Sequence, residues 1–357
     1  MVILKRECLY LLNVFQNESL AANNEIICEL FYSKIGSIWI FDSFYLFLIS
    51  PMCLLGFFFN IFAFYVASTI KIKHNTKNLY KYLKVCLLNS SILCFIGIFA
   101  FITYSPRYFE FALGYLGRVY RCHIANSVAS TLYFFSNILD LLITFERLSI
   151  FIQKLSRLKT YSPYKTCFLT FLIVSFINSP VFFWNYIKSD EEFNQGILNL
   201  SINPANTSFT YCGRTSFVQS RHGSILSLIA IVCRDFITPI FEITLTIYAF
   251  NYYYKTIRVR IRNLRINYAI RGDQTDNEKN SLMNMRLYLM AIIMLIISVV
   301  CHLFAGFGTL MLIDHNLNTT FIYTIIFVCL FLAVFKQVVN FFVFFVFNKN
   351  FKNILTD

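Results

Sequence analysis

Charge is what this chain has least of. Only 14% of its residues are Asp, Glu, Lys or Arg, against 57% hydrophobic, and the mean hydropathy is +0.61. Soluble globular domains carry roughly 25% charged residues, so there is too little polar material here to cover a water-facing surface. A water-soluble fold is excluded, and lipid becomes the main solvent. Acidic residues are scarcer than basic ones, 18 against 31, which leaves a formal net charge of +13. In so apolar a chain that excess reads as positive loops facing an anionic inner leaflet, not as a nucleic-acid surface.

Cys-x-x-Cys pairs with zinc spacing are absent, so the eleven cysteines suggest no metal site. Cys53, Cys86, Cys94, Cys167, Cys233, Cys301 and Cys329 lie inside apolar runs and read as small buried hydrophobes. Cys8, Cys28, Cys122 and Cys212 lie outside those runs or at their edges. They are the disulfide candidates if their side of the membrane is oxidising. His123, His222, His302 and His315 are scattered over different elements, so no catalytic constellation is expected, and no cofactor. No soluble domain, low-complexity tract or repeat is visible. Nor is a cleavable signal peptide, because Lys5, Arg6 and Glu7 break the first apolar stretch. The first span is therefore expected to direct insertion itself.

What the chain does have is long apolar runs. A helix needs about 20 mainly apolar residues to cross the hydrocarbon core. Seven runs meet that length, near 43–70, 85–104, 122–152, 166–187, 224–252, 287–313 and 320–347. None shows a period of two, so helices are expected and not barrel strands. The expectation is an all-α, seven-transmembrane helix bundle over 43–347, with an N-terminal segment 1–42 and a tail 348–357.

Lys and Arg orient the bundle. Twenty fall on the side of the first, third and fifth connections and the tail, nine on the other. The richer side is cytoplasmic, so the N-terminus is expected outside. Sequons at Asn17, Asn199, Asn206 and Asn318 all fall in segments this topology places outside, and become glycosylation candidates.

Certain residues recur at meaningful spacings. Cys122 opens the third run, and 24 residues later comes Glu146–Arg147 at its far end. At 1.5 Å rise per residue that separation spans about 36 Å, so the cysteine and the arginine sit on opposite sides. Asn60 lies in the first run, Pro239 in the fifth, and Asn340-Phe-Phe-Val-Phe344 near the end of the seventh. Seven residues beyond Phe344 comes Phe351–Lys352, and Phe347, Phe351, Ile354 and Leu355 form one apolar stripe suited to lying on the inner leaflet.

This set resembles the rhodopsin-like G-protein-coupled receptors. The resemblance covers most of the chain and implies the following roles. Cys122 pairs with Cys212, tying the 4–5 loop over the ligand entrance, and the stripe after Phe347 becomes a short amphipathic eighth helix. Glu146 restrains Arg147 at rest, and activation frees it to open a cavity for a heterotrimeric G protein. Leu155 takes the place of a loop residue that plugs into the G protein, and Asn340 and Phe344 that of the helix-7 switch. The basic 5–6 loop either adds contacts there or attracts anionic lipid.

Several positions depart from the family pattern. Cys301–His302–Leu303–Phe304 stands where the family has Cys-Trp-x-Pro, and His302 reads as a packed core residue near the ligand pocket, not a pH sensor. Phe344 replaces a tyrosine, and Asn89 or Ser91 stands where the family has a sodium-binding Asp. Lys336 lies one turn before Asn340, while the third run offers Ser136 and Asp140. An intramembrane lysine needs a partner. Its ammonium is expected to pair with Asp140 in the region where relatives bind sodium; the alternative is that Lys336 lines the ligand cavity. Arg234–Asp235 reads either as a polar ligand site or as an intrahelical contact.

Ala129 falls where amine receptors carry an Asp, and Val334 where opsins carry their lysine, so neither class fits. Alternation in Ser208-Phe-Thr-Tyr-Cys212 suggests a hairpin lid, as in neuropeptide receptors. An extracellular peptide is the expected ligand, an environmental small molecule the second choice, and the plasma membrane the expected location. Similar motif losses occur in divergent invertebrate members. The rival class is a multi-pass ion channel or transporter, with Lys336, Asp140, Glu242 and Arg234 marking an ion path.

Overall fold

The structure, a computed structural model, describes residues 45–69, 77–99, 115–151, 162–189, 192, 212–248, 250–252, 254–255, 293, 296–297, 299–301, 304, 328–329, 331–339 and 342. These are mostly helical. Helix α1 (Ser50–Thr69) follows a π turn at Tyr45–Ile49, and α2 covers Lys77–Ile98. Helix α3 runs unbroken from Tyr115–Val119 through nine residues of π geometry, Tyr120–Val128, into Ala129–Phe151. Then come α4 (Pro163–Ile177), α5 (Ser179–Phe182), strands β1 (Asn185–Ile187) and β2 (Cys212–Arg214), and α6 (Ser216–Gln219). Helix α7 begins as Arg221–Val232 and passes through π turns at Cys233–Ile237. Residues 331–339 form a further helical segment.

Among the described residues four helices are long and apolar enough to cross a membrane: Phe47–Thr69, Lys77–Ile98, Tyr115–Glu146 and Arg221–Tyr252. The sixth and seventh expected runs, the N-terminal segment and the amphipathic tail lie largely or wholly outside the described residues.

Helix α1 shows burial inside-out relative to a soluble fold. Along α1 the buried positions are Ser50, Cys53, Gly56, Asn60, Ala63, Val66 and Ala67, one face at helical spacing. The other face exposes Leu54, Leu55, Phe58, Ile61, Phe62 and Tyr65. Large apolar side chains point outward because lipid is as good a solvent for them as another helix. Small and polar ones turn inward, where backbones approach closely and hydrogen bonds find partners.

The α1–α2 contact shows how close. A Cβ on Gly97 would lie 2.5 Å from Cys53 Sγ, and one on Gly56 2.8 Å from both Cys94 Sγ and Val338 Cγ2. Gly97→Val is accordingly expected to cost about 1–3 kcal/mol by overpacking. A lowered melting temperature of the detergent-purified protein would show it, and an unchanged one would mean the helices part freely.

Helix ends depart from the apolar runs for identifiable reasons. Helix α2 starts at Lys77, ahead of the run expected at 85–104. Its hydrogen-bond ladder continues past the apolar edge because long lysine stems can lie along it, as Lys81 does with its Nζ 5.7 Å from the Tyr164 ring. Helix α3 starts at Tyr115, so Cys122 lies within it and does not open it. Arg118 made that stretch look like loop, yet it is buried and its Nη1 donates to Lys188 O at 3.1 Å.

The run expected at 166–187 breaks in two. Pro163 occupies the first turn of α4, where its missing N–H is harmless. Pro180 cannot continue the ladder, so α4 ends at Ile177 and the chain turns into α5 and β1. Helix α7 begins sharply because Ser220 Oγ accepts from Gly223 N at 3.1 Å, an N-cap.

Candidate functional site: a polar axis along α3

Polar residues of α3 recur at Ser127, Ser130, Tyr133, Asn137, Asp140 and Thr144, steps of three or four that set them along one face, with Ser136 beside Asn137. Three layers of contact follow that face.

The first layer is covalent. Cys122 and Cys212 form a disulfide with Cα atoms 5.8 Å apart, closing a sequence separation of 90. Cys212 belongs to β2, which pairs antiparallel with β1 so that Ile187 faces Cys212 and Tyr186 faces Gly213. A Cβ on Gly213 would meet the Tyr186 ring at 2.1 Å, so the ring lies flat across the glycine. The hairpin is further held by Thr215 Oγ1 donating to Phe183 O and by Trp184 Nε1 donating to Ser227 Oγ at 2.6 Å. Residues 208–211, where the alternating pattern suggested a strand, lie outside the described residues.

The second layer joins α3, α4 and α7. Arg234 donates through Nε and Nη2 to the two carboxylate oxygens of Asp235, each at 2.7 Å, and through Nη1 to Ser130 Oγ. Adjacent side chains on an α-helix do not face each other; these two meet inside the π turns Cys233–Ile237. Asn178 donates to Thr131 Oγ1 at 2.8 Å and to Ser130 Oγ at 3.4 Å. Arg234–Asp235 is thus an intrahelical contact that also grips α3. Ala129, partly buried, lies next to this layer in sequence.

The third layer is the most buried. Lys336 Nζ lies 2.7 Å from Asp140 Oδ2, a contact of charge more than of hydrogen-bond alignment, and donates to Asn137 Oδ1 at 3.2 Å. Side-chain exposures of 2% and 10% put the pair out of reach of bulk solvent. Cys86 Sγ contacts Asp140 Oδ1 at 3.9 Å, and the Tyr133 ring lies 5.9 Å from the ammonium.

Gln337 spreads the network. Its Oε1 accepts from Ser90 Oγ at 2.6 Å, its Nε2 faces Ser136 Oγ at 3.5 Å, and its backbone O accepts from Asn60 Nδ2 at 3.1 Å. Two adjacent residues of the 331–339 helix therefore engage α1, α2 and α3 together. Asn89 links α2 to α3 through Leu132 O at 3.0 Å, whereas Ser91 donates within its own helix, to Leu87 O at 2.8 Å.

Glu146 and Arg147 lie at the end of α3 remote from the disulfide, where Glu146 O accepts from Ser149 Oγ at 2.6 Å. The side chain of Arg147 lies outside the described residues, as do Leu155, His302, Asn340, Phe344 and the sequon residues Asn17, Asn199, Asn206 and Asn318.

Sequence reasoning singled out Lys336, Asp140, Ser136 and Asn60, and passed over Gln337, Asn137, Ser90, Asn178 and Arg118. Each missed residue is polar inside or beside an apolar run, the available signal. What was lacking was the rotation of each helix. Among the described residues no group of His, Cys, Asp or Glu has the clustering a metal ion requires. No protein-family model matches the chain, and no curated protein matches it.

Proposed function

We propose that this chain is a seven-span receptor of the rhodopsin-like kind, with its N-terminus outside the plasma membrane and an eighth helix on the inner leaflet, relaying an extracellular ligand to a heterotrimeric G protein. One observation carries the reading. A single helix, α3, is tethered towards one end by Cys122–Cys212 to a hairpin and carries Glu146–Arg147 in its last turns, with a buried ion pair between the two. Such a helix is a rigid link between two faces of a membrane. A ligand under the hairpin has the Arg234–Asp235–Ser130 layer beneath it, and a peptide suits that setting because its amides match mixed donors and acceptors. Ligand binding shifts the helices between two packings, and the packing favoured outside decides whether Arg147 is available inside.

The test is Arg147→Ala in cells carrying a panel of G proteins with nucleotide-exchange reporters, challenged with a peptide library. The expected outcome is exchange at background with surface expression intact. Ligand-gated ion current that survives Arg147→Ala, with no exchange from any G protein, would replace this reading by a channel built along Arg234, Glu242, Asp140 and Lys336.

A further inference from the structure

Helices α2 and α4 begin side by side. The Nζ of Lys81 lies 5.7 Å from the Tyr164 ring, which puts the first turns of both helices at the same end of the bundle. Lys81 is half-buried there, while Tyr164 and Lys165 of α4 are exposed. On α2, Lys77, Lys81 and Lys84 follow at steps of four and three, so they stand in one row. Neither helix contains an Asp or Glu, nor do the connections that lead into them, 70–76 and 152–162. Among the described residues the ion pairs lie elsewhere, at Arg234–Asp235 and Lys336–Asp140, and no carboxylate pairs with these lysines. Like charges set one turn apart repel, so the row calls for an anion from outside the chain.

Beyond the charges the same faces turn apolar. Helix α2 continues along the lysine row with Leu88, Ile92 and Phe95, all exposed. Helix α4 continues from Lys165 with Phe168, Leu172 and Phe176, exposed as well. A surface that is cationic at one end and apolar along its length has the shape of a lipid site. The head group meets the ammoniums and the acyl chains lie along the helices. Charge then selects among lipids. A phosphodiester brings a single negative charge, whereas each phosphomonoester brings about 1.5 to 2 near neutral pH. An un-neutralised row of ammoniums favours the second kind of head.

We propose that the first turns of α2 and α4 form a site for one polyphosphorylated inositol lipid, with its phosphates on Lys81 and Lys165 and its chains along the two apolar faces. The orientation given under the proposed function decides only that the inner leaflet supplies this lipid. The chemistry of the site is independent of signalling.

The experiment is native mass spectrometry of the full chain in detergent, titrated with phosphatidylinositol bisphosphate. One lipid is expected to bind well before a second, and phosphatidylserine to bind about tenfold more weakly. Lys81→Gln with Lys165→Gln is expected to weaken binding about tenfold or more, each lysine near a lipid surface contributing roughly a fivefold factor. Lys81→Arg with Lys165→Arg keeps the charge and is expected to bind like wild type. The control is Lys255→Gln, at an exposed lysine just past the Arg221–Tyr252 span, and it is expected to leave binding unchanged.

An equal loss in Lys255→Gln and in the double glutamine variant would mean attraction without a site, and overturns the proposal. Phosphatidylserine binding as tightly as the bisphosphate, or loss of binding in the arginine pair, does the same. Soluble inositol trisphosphate binding as tightly as the lipid would show that the apolar faces take no part, and overturns the lipid assignment. The titration needs neither G protein nor extracellular ligand. Its failure therefore leaves the receptor reading standing, and a chain that couples to no G protein leaves the lipid site standing.

Discussion

Lys336→Met is expected to melt far below the wild-type protein and to reach the cell surface poorly, whereas Lys336→Met with Asp140→Leu recovers most of the loss. The single change keeps side-chain length and apolar bulk but strands the Asp140 carboxylate, which is buried beside Cys86 and Ser136 of the same interior. Removing one partner of a buried ion pair costs about 3–5 kcal/mol, because the remaining charge has been taken out of water without compensation. Replacing both partners by apolar residues of similar volume is often neutral. Asn137 loses one donor as well, but its amide is neutral and the cost of that is smaller, about 1–3 kcal/mol at most. Thermal melting in detergent, followed by a thiol-reactive dye, reads all three proteins. A single variant as stable as wild type would mean that the ion pair holds nothing together.

The second large effect belongs to the disulfide. Cys122→Ser, Cys212→Ser and the double change are each expected to lower stability by the same amount, since any one of them opens the same tether. The bond closes a sequence separation of 90, for which chain entropy assigns roughly 4–5 kcal/mol, an upper figure for a chain already confined by lipid. Local contacts remain after opening, including Trp184 to Ser227, Arg118 to Lys188 and the β1–β2 ladder. The hairpin should therefore loosen and not vanish. Melting with and without a membrane-impermeant reductant provides the measurement: the reductant should lower the wild-type value to that of the variants. Additive losses in the double variant would show that each cysteine acts by packing and not by the bond.

Much of this was legible in composition and much was not, and particular residues show where the line falls. Lys336 and Asp140 stand out because a charge inside a long apolar run demands a partner, whatever the fold. Cys122 and Cys212 stand out only as candidates; composition offers four such cysteines, and their pairing entered by family resemblance. Gln337 does not stand out at all beside a lysine, yet it joins three helices through two side-chain atoms and one carbonyl. Asn89 and Ser91 looked interchangeable, but one crosses to α3 and the other bonds to its own backbone, a difference of helix rotation alone. Arg118 looked like a loop residue because hydropathy counts its charge, while the Lys188 carbonyl as acceptor helps it lie inside the helix.

From its residues alone the chain was bound to be a helical membrane protein. A backbone in hydrocarbon has to satisfy its own hydrogen bonds, and long apolar runs do so only as helices. The tertiary structure decided which polar residues meet. Helix rotation, the break at Asn178–Pro180 and the π turns around Cys122 and Arg234 each swing a side chain by a fraction of a turn. Hydrogen bonds and ion pairs act over about 3 Å, so such swings decide contacts to which hydropathy, averaged over a whole span, is blind.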